Sequence, residues 1–148
     1  MLGLQVAAED DGDGPHPLLH IANGLELAKA LKVPVTIVHV REMMIAPTVG
    51  GVTRRIDESE VESSVRSDLA SLVDAGIDAD LRIVVSTYAG GPAHDIAEVA
   101  EEVGAGLIVA GARGFGLVKG LLVGSVAHRL PYVAKCPVLI VPLPADDG

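Results

Sequence analysis

The residues of this chain that could do chemistry gather in two short stretches. Residues 9–13 (EDDGD) carry the carboxylates Glu9, Asp10, Asp11 and Asp13. Residues 111–125 (GARGFGLVKGLLVGS) are rich in glycine and end on Ser125. Glycines let a backbone come close to a phosphate and aim successive amides at it. A helix opening at Ser125 adds free amides and the positive end of its dipole. The Ser125 hydroxyl can cap that helix or donate to a phosphate oxygen, and Arg113 and Lys119 are the cations of the stretch. Glycines that merely make turns would look the same by composition.

The familiar phosphate motifs are absent. Lys119 precedes Gly120 with no hydroxyl after it, so the stretch is not a P-loop. Gly114-x-Gly116 is followed by Gly120, one residue too far for the dinucleotide fingerprint. Catalytic constellations are missing as well. Ser125 lies outside any G-x-S-x-G elbow, and neither HExxH nor CxxC occurs. His16 and His20 stand four apart near Asp10, Asp11 and Asp13, a spacing a metal could use. They read more simply as a solvated helix start, so no metal site is expected. Asp11-x-Asp13-Gly14 lacks the glutamate that closes a calcium loop. His39 reads as a core or site-edge histidine and Cys136 as a structural thiol. Ordinary packing is the simpler role for Met43, Met44 and Ile45.

Positioning these residues falls to short apolar runs that alternate with helical segments. Residues 2–8 form the first run and end at the carboxylates. Residues 17–31 space Leu18, Ile21, Ala22, Leu25, Ala28 and Leu31 as a helix face. Residues 34–40 (PVTIVHV) are β-branched and read as a buried strand. Residues 41–55 have no clean period and read as a mobile loop. The acids of residues 57–60 open a helix, with Val61, Val65, Leu69, Leu72 and Val73 on its apolar face and Gly76 at its end. A third strand covers Ala79–Ser86. Gly91-Pro92 opens a helix faced by Ile96, Val99, Ala100 and Val103. Residues 107–110 are a fourth strand. Residues 125–134 are a last helix, kinked or shortened by Pro131, and Val138–Val141 a last strand. Such alternation predicts an α/β domain with a parallel sheet covered on both faces. No linker divides residues 1–148, so one domain is expected. Ligands of such sheets bind beyond the carboxyl ends of the strands, where the strand order reverses.

Composition narrows the partners. The chain has 148 residues, a net charge of −9 and 49% hydrophobic residues. The charge opposes binding to nucleic acid or an anionic membrane surface. Aromatics at 2% leave little with which to stack on single-stranded bases. One cysteine fits a reducing compartment. No uncharged run approaches the roughly twenty residues of a membrane span, and residues 1–11 lack a basic segment and an apolar run typical of a secretory leader. A soluble, cytoplasmic protein is expected.

The spacing Gly111-x2-Gly114-x9-Gly124-Ser125 resembles the pattern of the nucleotide-binding members of the universal stress protein family. AEEVGAGLIVAGARG looks like that family's fourth strand with the helix before it. GSVAHRLPYVAKCPVLIVP looks like its closing helix and strand, and ELAKALKVPVTIVHV like its first helix and second strand. The resemblance covers nearly the whole chain and is weakest over residues 9–16 and 41–60. It implies a three-layer α/β sandwich of the adenine nucleotide alpha hydrolase type, with a five-stranded parallel sheet in the order 3-2-1-4-5. It implies a bound adenine nucleotide, ATP with Mg²⁺ first among them, in a stress-response or regulatory role with at most weak hydrolysis. Gly111, Gly114, Gly124, Ser125 and Val126 would face ribose and phosphates, with Arg113 beside them. Ala110 would line the adenine side and Val40 would meet adenine through its backbone. The family's aspartate after the first strand is matched by Glu9 here, or by Asp10. Dimers in the family pair their last strands, here Val138–Val141, so a homodimer is implied. Such domains also occur attached to membrane transporters, and an interaction module without nucleotide, regulating one, is the alternative; a slow ATPase is the other.

Overall fold

The computed structural model describes residues 3–8, 18–42, 58–86, 91–112 and 125–142. Five strands and four helices alternate along them: β1 (Gly3–Ala8), α1 (Leu18–Leu31), β2 (Val35–Glu42), α2 (Glu58–Asp74), β3 (Ala79–Ser86), α3 (Pro92–Glu102), β4 (Ala105–Gly111), α4 (Ser125–Val133) and β5 (Val138–Val141). The strands form one sheet in the order β3-β2-β1-β4-β5, and all four neighbouring pairs are parallel. The α/β class and the strand order are those expected.

The strands are apolar on both sides because the sheet is covered on both sides. Alternate residues of β2 divide between two cores. Val38 and Val40 join Ile108 and Ala110 of β4 beneath α3 and α4, where Ile96 and Leu130 are fully buried. Val35 and Ile37 join Val109 on the opposite face, beneath Ala28 of α1 and Val65 and Leu72 of α2. The result is three layers, with the sheet in the middle.

Helix ends follow local chemistry. At the end of α2, Gly76 has φ 79°. Its amide bonds Val73 O at 2.9 Å and the Ile77 amide bonds Leu72 O at 3.1 Å. This paired closure needs a left-handed residue, which glycine supplies without a Cβ clash. The end of α1 closes the same way on Lys32, at φ 54°, with Val33 N on Ala28 O at 3.2 Å. Pro131 does not end α4. The helix runs two residues past it to Val133, and Ala134 N bonds Leu130 O at 2.9 Å.

Several expected details change. Arg41, expected in a loop, lies in β2, which extends through Glu42. The fourth strand starts at Ala105 instead of residue 107, because its ladder to β1 begins at Gly3↔Ala105. Leu31 and Val73, expected on apolar faces, are 51% and 53% exposed. Val73 follows Leu72 around the helix by about 100°, and Leu72 takes the inward place. Leu31 is the last residue of α1, where the chain turns away. The Val61 side chain, the rest of the expected loop at 43–55, the acids at 9–13, His16 and Met43–45 lie outside the described residues.

Candidate functional site

The sheet ends unevenly on its carboxyl side. The last rung between β1 and β2 is Ala8↔His39, and the last between β1 and β4 is Ala7↔Ala110. The pairing of β2 with β3 runs three rungs further, through Val40↔Val84, Arg41↔Val85 and Glu42↔Ser86. The pairing of β4 with β5 runs on to Gly111↔Val141, and the Ala112 amide bonds Val141 O at 2.8 Å. Among the described residues, β1 therefore stops short of both its neighbours. The carboxyl end of β1, flanked by those of β2 and β4, is where the strand order reverses, the notch in which open α/β sheets hold ligands.

Small and apolar residues line the approach to it. Val40, Ala110 and Val126 belong to one core cluster and are buried. Val126 is the second residue of α4, so the first turn of that helix starts beside the notch. The first-turn amides of a helix have no partner within the helix and its dipole is positive there, which suits an anion. A helix start beside the ends of the strands can hold an anionic group.

Of the residues expected in the site, Val40, Ala110, Gly111 and Val126 come together around the notch, and Ser125 is the first residue of α4. Glu9, Arg113, Gly114 and Gly124 lie outside the described residues. His39 is buried on β2, one residue before Val40. Cys136 is half-buried, and burial raises its thiol pKa above the ordinary value. Among the described residues no group of three or more His, Cys, Asp or Glu side chains is placed to hold a metal. No helix among them is long and apolar enough to cross a membrane.

One ionic cluster beside the notch was not anticipated. Glu62 of α2 accepts hydrogen bonds on Oε1 from Arg66 Nη2 at 2.8 Å and Nε at 3.2 Å. Its Oε2 accepts from Arg41 Nη2 of β2. The hydrogen bonding from Arg66 holds the Glu62 carboxyl below its ordinary 4.5; partial burial opposes this, and the charge of Arg41 adds to it. The Glu62–Arg66 spacing of four on a helix was readable as an ion pair. The pairing with Arg41 was not, because it joins residues 21 apart.

Comparison with known proteins agrees with this architecture. A model of the universal stress protein family matches residues 6–142. The universal stress protein YxiE of Bacillus subtilis is 49% identical over 55 residues, 36% of this chain and 37% of that protein. The chain thus aligns with under half of that relative's length. Universal stress protein UspA from Lactobacillus plantarum superposes with a TM-score of 0.72 at 17% identity, over 95% of this chain and 97% of that one. The universal stress protein from Archaeoglobus fulgidus in complex with dAMP does so with a TM-score of 0.63 at 26% identity, over 95% and 97%. With the sheet order, the notch and a family match that runs from β1 to the end of β5, the chain belongs to the universal stress protein family.

Proposed function

We propose that this protein holds an adenine nucleotide, ATP with Mg²⁺, in the notch above β1, and acts as a regulatory module rather than a fast ATPase. The observation that carries this reading is the reversal of strand order at the carboxyl end of β1, beside which Val40, Ala110 and Val126 gather in one buried cluster at the start of α4. The dAMP held by the Archaeoglobus fulgidus relative supports adenine as the base. In this reading Val40 meets adenine through its backbone and Ala110 lines the ring. Gly111, Gly114, Gly124, Ser125, Val126 and Arg113 hold ribose and phosphates, and Glu9 or Asp10 accepts from the ribose hydroxyls. A net charge of −9 disfavours a bare triphosphate, and Mg²⁺ supplies the missing positive charge.

The chain acts as one domain over residues 1–148 and forms a homodimer through β5. That strand pairs only with β4 among the described residues and exposes Leu139. An acidic chain with one cysteine fits the reducing cytoplasm.

The test is calorimetric titration of nucleotide-stripped protein with ATP, ADP and AMP in the presence of Mg²⁺, with Gly124→Val as the control. Micromolar binding by the wild type, lost in the variant, is the expected result. No binding by stripped, folded wild type contradicts the nucleotide reading and favours an interaction module without nucleotide.

A further inference from the structure

We draw no further inference here: the strongest candidate, the β5 edge of the sheet with its exposed Leu139, joined to the start of the glycine stretch by the hydrogen bond from the Ala112 amide to Val141 O at 2.8 Å, carries nothing beyond the last-strand homodimer and the nucleotide site already proposed.

Discussion

Ile96 shows what single residues do here. It lies at the centre of the α3 face, fully buried against β2, β4 and α4. Ile96→Ala removes most of a buried side chain and leaves a cavity. It should lower stability by about 2–5 kcal/mol, measured by urea denaturation; a loss well under that range would mean that the core beneath α3 relaxes to fill the gap. Glu62 acts through charge instead. Its carboxyl pKa is lowered by the hydrogen bonding from Arg66 and by Arg41, against partial burial. A group lowered on folding stabilises the fold above its unfolded value of 4.5, and that contribution fades as the pH falls through the folded value. The stability gap between wild type and Glu62→Gln should be full at neutral pH and close below 4.5. A gap that stays constant down that pH series would show that the carboxylate charge is not what matters. At this scale the burial of Val40 was legible, from its β-branched run, whereas residues 113–124 of the glycine loop lie outside the described residues. The Arg41–Glu62 pair was not, since Arg41 read as loop and nothing local links it to a helix residue 21 positions on.

The elements were legible where local pattern decides them. Runs rich in Val and Ile became strands, and the Gly91-Pro92 start of α3 stands as read. Element ends were harder. Arg41 and Glu42 are strand because β3 supplies a ladder, and Ala105 and Gly106, with weak strand propensity, are strand because β1 lies beside them. Neighbouring strands decide such residues, and a local pattern does not contain its neighbours. The same holds for Pro131, which α4 absorbs on an exposed face. At this scale the proposed dimer can be tested. β5 is four residues long, lies at the edge of the sheet and leaves Leu139 44% exposed. Charge on an edge strand opposes strand addition. Leu139→Lys is expected to shift the protein from dimer to monomer in sedimentation equilibrium with the fold intact by circular dichroism. A dimer that survives the substitution would argue that the copies meet elsewhere.

For the molecule as a whole, the order β3-β2-β1-β4-β5 is what makes a site out of scattered residues. It sets β1 between β2 and β4, so that the carboxyl ends of the three strands lie side by side. Composition and periodicity predicted a covered parallel sheet but not this order, which came from the family resemblance. The register that aligns these strands was legible from neither, because it depends on pairing across three strands. The central claim is that this notch receives an adenine nucleotide. The most direct test is the amide nuclear magnetic resonance spectrum of nucleotide-stripped protein titrated with ATP and Mg²⁺. The account predicts that the largest shifts fall on residues 40–42, Gly111, Ala112 and the first turn of α4, with β3 below residue 84 and the far ends of the helices unmoved. Saturable shifts centred elsewhere, or none at millimolar ATP, would contradict it.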